Sequence, residues 1–381
     1  MPTVREAVLD LLRATGMTTV FGNPGSTELP FLGHWPNDLR YVLALQEASA
    51  VAMADGHARA TGRAAFVNLH SAAGLGHGLG NLFTAFRNNA PLVVTAGQQS
   101  RGLLLNQPFL GADDAAAFPR PYVKWSIEPA RAEDVPAAIA QAHRIAMQRP
   151  RGPCFVSIPA DDWGAACDAV PHRGLAADMA PDPVALALLA EALAGAEKPV
   201  LVIGPEVDEE GAGPDAVALA ERLAAPVWVS PFASRLCFPE DHPLFAGHLT
   251  AAPEAVAQAL AGHDLILVIG APVFTFHVAG RCAVLDGATP LWHLTADGAA
   301  AARAPAGESI LGALRFALPA LTARLPEQPG RSPPRPRARP APPPAREPLP
   351  GGFVLSRLSA LWPSGAVLVE EAPSHRPSMH A

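Results

Sequence analysis

The chain has 381 residues, more than one hydrophobic core usually organises, so two domains or slightly more are expected. Hydrophobic residues at 49% and charged residues at 17% exclude a largely disordered chain, which needs the opposite balance. A formal net charge of -7 provides no basic face for nucleic acid, and no apolar run approaches the ~20 residues that span a bilayer.

The opening stretch VREAVLDLLRATG is interrupted by Glu6 and Asp10, so it reads as an amphipathic helix rather than a signal peptide and points to a cytoplasmic protein. From Val4 to about Ala160, helical patterns alternate with the apolar strands TTVFG, YVLAL, AAFVNLH, PLVVTAG and PCFVSIP, the rhythm of an α/β domain with a largely parallel sheet. After Pro181 a second round follows: PVLVIG, APVWVS, DLILVIGA and PLWHLTAD, separated by alanine-rich helices near Ala216 to Leu223 and Ala252 to Leu260. The expected fold class is therefore α/β, with two successive parallel-sheet domains over residues 1–165 and 181–325. Residues 326–350 are dominated by proline and arginine and read as a linker with polyproline II tendency. In residues 351–381 the pattern predicts one helix, Phe353 to Trp362, and one strand, Ala366 to Val369, too little for a core. Cys154, Cys167, Cys237 and Cys282 are widely spaced and form no C-x-x-C, so they are read as reduced interior residues.

Three segments carry polar groups into this apolar framework. Gly22-Asn23-Pro24-Gly25-Ser26 directly follows the first strand, and its glycines and proline permit a tight turn that brings backbone close to a ligand; an ordinary strand-to-loop turn has the same composition. LALQEA places Glu47 where a strand gives way to a helix, among small or apolar neighbours that predict partial burial and demand a hydrogen-bond partner, a helix cap being the plain alternative. The run FVNLHSAAG delivers His70 from a buried strand to GLGHGLG, expected to be a glycine-rich loop that opens a helix. Its spacing fails G-x-G-x-x-G and no lysine follows, so no nucleotide phosphate is assigned there.

Taken together, VFGNPGS, LALQEA, ADGHARATGR, NLHSAAGLGHGLGNL and PLVVTAGQQ resemble, in order and spacing, the pyrimidine-binding first domain of thiamine-diphosphate-dependent 2-oxo acid decarboxylases, in particular the benzoylformate decarboxylase branch. The resemblance continues through PRPYVKWS, PCFVSIPADDW, LVIGPEVD, APVWVSPFASR and GHDLILVIGAPVFTFH, covering nearly the whole chain up to the linker.

The resemblance implies that Glu47 hydrogen-bonds the cofactor's aminopyrimidine ring and relays a proton, through a charge-assisted bond worth roughly 1.5–3 kcal/mol. Asn23, Pro24 and Gly25 would line the cofactor, whose thiazolium ring accepts the electron pair released on decarboxylation. Ser26 would hold the substrate carboxylate, His70 would transfer a proton to the attacked carbonyl oxygen, and His277 would be a second histidine supplied by the middle domain. Phe109 and Leu110 lie where that branch has apolar pocket residues, whereas His57, His77 and His293 are read as structural. The chain lacks the adjacent His-His pair typical of the pyruvate decarboxylase branch, while Ser26, His70 and His277 resemble the benzoylformate branch, so the resemblance implies an aromatic 2-oxo acid, benzoylformate going to benzaldehyde and carbon dioxide. The middle domain lacks G-x-G-x-x-G, so neither flavin nor nicotinamide is expected there.

In that family the diphosphate and Mg2+ are held by a third domain bearing Gly-Asp-Gly followed by an Asn-Asn pair. No Gly-Asp-Gly occurs in the sequence, and Asp55-Gly56 belongs to ADGHARATGR instead. Gly352 to Ala372 resembles only the opening helix and strand of that domain, with Glu370 and Glu371 near where complete members continue toward the cofactor. The expectation is a truncated member, inactive alone, with an exposed apolar face where the third domain packs. Complete members form homo-oligomers, which is not assumed here. Two other functions stay open: a non-catalytic assembly subunit whose Pro/Arg-rich tail docks a partner, and a carboligase or other 2-oxo acid decarboxylase of the same family.

Overall fold

The structure, a computed structural model, describes residues 1–281, 285, 287–327, 332–338, 341–371 and 374–380. The chain divides into two compact units, Met1–Asp178 and Met179–Ala381. Cys282 and parts of the 326–350 and 352–372 segments lie outside the described residues.

In the first unit the strands are β1 Thr19–Asn23, β2 Arg40–Leu43, β3 Ala65–Leu69, β4 Leu92–Gln98, β5 Trp125–Ile127 and β6 Cys154–Pro159, in the order β2-β1-β3-β4-β6-β5. Every pairing is parallel. Strands β3 and β6 are buried along their whole length, because helices cover both faces of the sheet and leave no position for an alternating polar residue. Successive side chains of β3 therefore feed two cores. Phe66 joins Val20, Val93 and Val156 under the helices Val4–Thr15 and Val135–Met147, while Val67 and Leu69 join Phe21 and Val94 under Glu47–Thr61 and Ser71–Arg87.

The first helix forms where the sequence supplies both stop signals. Thr3 and Glu6 make a reciprocal capping box at its start, and Gly16, at φ 74, closes its end in a conformation costly for other residues. Residues 166–178 belong to this unit, tied by an antiparallel bridge between Thr3 and Ala166 and by the Cys167 N–H donating to the Pro2 carbonyl at 3.0 Å.

The second unit contains β7 Pro199–Ile203, β8 Val227–Val229, β9 Phe245–His248, β10 Leu265–Ile269, β11 Leu291–Thr295 and β12 Glu308–Leu311 in the order β12-β11-β10-β7-β8-β9, again all parallel. This is the doubly wound arrangement in which the chain works outward from a central strand in one direction, then returns and works outward in the other. Toward the carboxyl terminus a helix forms at Gly351–Ala360, but residues 366–369 do not form the expected strand. Val367 and Val369 are 84% and 90% exposed, with no neighbouring strand to satisfy their backbone. Among the described residues no helix is long and apolar enough to cross a membrane.

Candidate functional site

The register of the first sheet brings three chain crossings to one edge. Gly22 pairs with Leu43 and Asn23 with Leu69, so the segments leaving β1, β2 and β3 emerge side by side at the carboxyl ends of the strands. The order reverses direction at β1, since the chain passes first to β2 on one side and then to β3 on the other. Open α/β sheets bind ligands in the crevice at such a reversal.

Glu47 is the first residue of the helix Glu47–Thr61 and is 7% exposed. Gln46 caps that helix by accepting from the Ser49 N–H, which leaves the Glu47 carboxylate at the helix amino terminus, where the peptide dipoles favour a negative charge. His70 directly follows β3 and is the N-cap residue of the helix Ser71–Arg87. A Cβ on Gly74 would stand 3.1 Å from Glu47 Oε1 and 3.3 Å from His70 Cβ, so the two side chains flank this glycine.

GLGHGLG is helix rather than the expected loop. Each internal glycine costs roughly 0.5–1 kcal/mol of helix stability, but Gly74 makes room for Glu47, and Gly78 fits against Leu69 and Val51 with Cβ distances of 3.3 and 3.4 Å. The Asn81 side chain donates to the Ala48 carbonyl at 2.6 Å and fixes the two helices together. His77, read as structural from sequence, places Nδ1 3.3 Å from Glu47 Oε2.

The sequence reading missed Glu28. It is 1% exposed, and its carboxylate accepts from four donors: the Gly25 N–H at 2.8 Å, the Gly97 N–H at 2.9 Å, the Thr27 hydroxyl at 2.6 Å and His70 Nδ1 at 2.9 Å. A carboxylate only accepts, so Nδ1 of His70 carries its proton and Nε2 is the nitrogen left for other chemistry. Gly25 is required by this arrangement, since a Cβ there would fall 2.2 Å from His70 Nδ1. Beneath the turn Ser26–Glu28, Phe31 is fully buried and stacks on Trp163 with centroids 4.5 Å apart. Burial raises the Tyr41 phenol well above its usual range, with a further push from the charge on Glu28.

Ser71 was missed as well. It has φ 45, is fully buried, and its hydroxyl has no hydrogen-bond partner among the described residues. Left-handed backbone at a non-glycine residue costs on the order of 1–3 kcal/mol and concentrates at functional sites. No motif announces it, because the strain is a property of the fold and not of the serine.

The remaining sequence-derived residues are distributed as follows. Asn23 ends β1, Pro24 and Gly25 form the turn after it, and Ser26 is exposed as the first residue of the following short helix. Phe109 is 87% exposed and Leu110 has φ 65; among the described residues no hydrogen bond or ring contact joins either to Ser26 or His70. His277 belongs to the second unit, in the segment following β10, with its ring 5.5 Å from Phe232 in an edge-to-face arrangement.

A cleft of about 520 Å³ in the first unit, lined by Arg13, Arg63, Arg144, His143 and Arg173 among others, is a different feature. It lies toward the amino ends of the strands, next to Gly16 and Ala64, where Arg13 and Arg144 complement the negative ends of their helices.

Comparison with known proteins agrees with the geometry. The family model for the thiamine pyrophosphate enzyme N-terminal TPP binding domain matches residues 2–118, and that for the thiamine pyrophosphate enzyme central domain matches residues 186–321. The benzoylformate decarboxylase of Pseudomonas aeruginosa is 46% identical over 378 residues, covering 98% of this chain and 72% of that protein. The crystal structure of benzoylformate decarboxylase from Polynucleobacter necessarius superposes with a TM-score of 0.95 at 42% identity, covering 100% of this chain and 72% of the other. The thiamine diphosphate-dependent 4-hydroxybenzoylformate decarboxylase of Rhodococcus jostii gives a TM-score of 0.93 at 42% identity, with 100% and 73% covered. With both domains matched and nearly half the residues shared across almost its whole length, the chain belongs to the thiamine pyrophosphate enzyme family.

Proposed function

We propose that the chain serves in thiamine-diphosphate-dependent decarboxylation of an aromatic 2-oxo acid of the benzoylformate kind, giving carbon dioxide and an aldehyde. The observation that carries this reading is the pairing of Glu47 with His70 on either side of Gly74, at the point where the strand order reverses. The site fits the pyrimidine half of the cofactor: a buried carboxylate at a helix amino terminus faces a helix stripped of side chains at Gly74. When bound, thiamine diphosphate supplies the electron sink for the carbon–carbon cleavage.

The chain's own residues bind, orient and move protons. Glu47 would hold the aminopyrimidine ring and share a proton with its ring nitrogen, and the backbone of Asn23 to Gly25 would line the cofactor. His70, locked through Nδ1 by Glu28, presents Nε2 to give or take a proton at the substrate's carbonyl oxygen. Ser26 would offer its exposed hydroxyl to the substrate carboxylate, Phe109 and Leu110 would supply apolar substrate contacts, and His277 would serve as a second histidine.

The residues do not fit magnesium. Among the described residues the one trio of potential ligands close enough to share an ion contains two histidines, unlike the oxygen ligands magnesium takes, so no step is assigned to that ion. The chain matches 72% of the Pseudomonas aeruginosa relative, and the diphosphate clamp is proposed to lie in the part of that protein it does not match; homo-oligomer formation suits the exposed Leu43, Leu45, Leu105 and Phe109 of the first unit. A cytoplasmic setting suits the free, buried Cys154, Cys167 and Cys237.

The test is benzaldehyde and carbon dioxide release from benzoylformate in the presence of thiamine diphosphate and Mg2+. The chain alone is expected to be inactive, and a fusion to the part of the Pseudomonas aeruginosa relative that it does not cover is expected to turn over. A folded but inactive fusion would contradict the decarboxylase reading; turnover by the chain alone would contradict the need for another domain.

A further inference from the structure

In the second unit three potential metal ligands converge, none of them given a role above. Glu240 lies in the loop before β9, His248 is the last residue of β9, and His380 follows the short helix Arg376–Met379. Glu240 Oε1 is 3.1 Å from His248 Nε2 and 2.9 Å from His380 Nδ1, and all three ligand atoms lie within 4.8 Å of one another. The two imidazole rings are 4.3 Å apart at 47°.

We propose that Glu240, His248 and His380 form a binding site for a divalent transition-metal ion of the zinc class. Four ligands placed tetrahedrally at ~2.0–2.2 Å stand roughly 3.3–3.6 Å from one another. The two glutamate-to-histidine separations are within a few tenths of an ångström of that spacing, and the histidine nitrogens, no more than 4.8 Å apart, would close to it on binding. One carboxylate and two neutral imidazoles suit zinc, cobalt or nickel far better than magnesium or calcium, which prefer oxygen. Three protein ligands leave a position for water.

The site is pre-organised on the histidine least anchored in sequence. The Arg337 guanidinium donates to the His380 carbonyl at 2.6 Å and lies over the Phe245 ring, while Arg376 donates to the Ala233 carbonyl at 2.8 Å, so the segment carrying His380 is held against β9 without the ion. His380 Nε2 is buried with no hydrogen-bond partner among the described residues. A metal-bound histidine normally donates its second nitrogen to an acceptor, and the absence of one here sets the expected affinity below that of a fully supported structural zinc.

The experiment uses the full chain without an affinity tag, titrated with Zn2+ against a chromophoric chelator and, separately, with Co2+ read by visible absorption. One ion per chain is expected, with affinity reduced at least ~10-fold in both His380→Ala and Glu240→Gln. Zn2+ should also raise the melting temperature of the natural chain but not that of His380→Ala. His380 lies outside the sheet, so His380→Ala is expected to keep the metal-free circular dichroism and melting temperature of the natural chain. Less than one ion per chain, or equal affinity in the natural chain and His380→Ala, would overturn the proposal and leave the trio as two histidines donating to one carboxylate.

Discussion

Replacing Glu28 by glutamine removes one charge and one acceptor while leaving the side chain's size unchanged. Four donors converge on the carboxylate, two on each oxygen: Gly97 N–H and the Thr27 hydroxyl on Oε1, Gly25 N–H and His70 Nδ1 on Oε2. The amide costs less if its NH2 group faces Thr27, because that hydroxyl can turn and accept, but the Gly97 N–H is then left buried without a partner. One orphaned buried donor costs about 1–3 kcal/mol, and the His70 bond loses its charge assistance, together predicting a destabilisation of about 2–4 kcal/mol. With the denaturant slopes usual for a domain of this size, the first unit's urea midpoint should fall by roughly 1–2 M. Long-range proton–nitrogen correlation spectra of the imidazoles should show His70 as the Nδ1–H tautomer in the natural chain and a mixture of tautomers in the variant. Unfolding within ~0.5 kcal/mol of the natural chain, with the tautomer unchanged, would refute the role given to Glu28.

Gly25→Ala drives a methyl group into the His70 ring and should cost about 1–3 kcal/mol in urea unfolding while breaking the His70 to Glu28 contact, an effect read by the same spectra. Ser71→Gly relieves a positive φ and deletes an unpartnered hydroxyl, so it should raise stability by about 1 kcal/mol and lower turnover in the completed enzyme; unchanged melting would count against strain at this residue. Glu206, in the second unit, is half-buried, and loss of solvation pushes it up to about 7 from 4.5 against the pull of its bonds to Thr295 and the Ala296 N–H. Between those pH values the folded state keeps a proton that the unfolded chain has lost, so this contribution is fully present below about 4.5 and disappears as pH rises through about 7. At ~1.36 kcal/mol per pH unit the loss amounts to roughly 3 kcal/mol, and Glu206→Gln should flatten the second unit's stability over that range.

The buried strands were legible because a sheet covered on both faces leaves continuous apolar runs, as in PVLVIG and DLILVIGA. The strands that escaped the reading, β5, β9 and β12, all stand at sheet edges and are three or four residues long. Residues 366–369 have strand-like composition without a partner, and propensity alone does not make a ladder. The helix through GLGHGLG was hidden for the opposite reason: its glycines oppose helix formation locally, and only packing against Glu47 and Val51 explains them. Glu47 and His70 were singled out because strand ends and resemblance both marked them. Glu28 was not, since the partners that give it meaning, His70 and Gly97, lie 42 and 69 residues away.

The proton relay by Glu47 is tested most directly by the rate at which the C2 proton of thiamine diphosphate exchanges with deuterated solvent, followed by proton NMR on the fused, cofactor-loaded enzyme. A positioned acid–base group contributes typically 10²–10⁴-fold, so Glu47→Gln should slow the exchange by at least ~100-fold at unchanged cofactor occupancy. Equal exchange rates in the natural and Glu47→Gln enzymes would contradict the account.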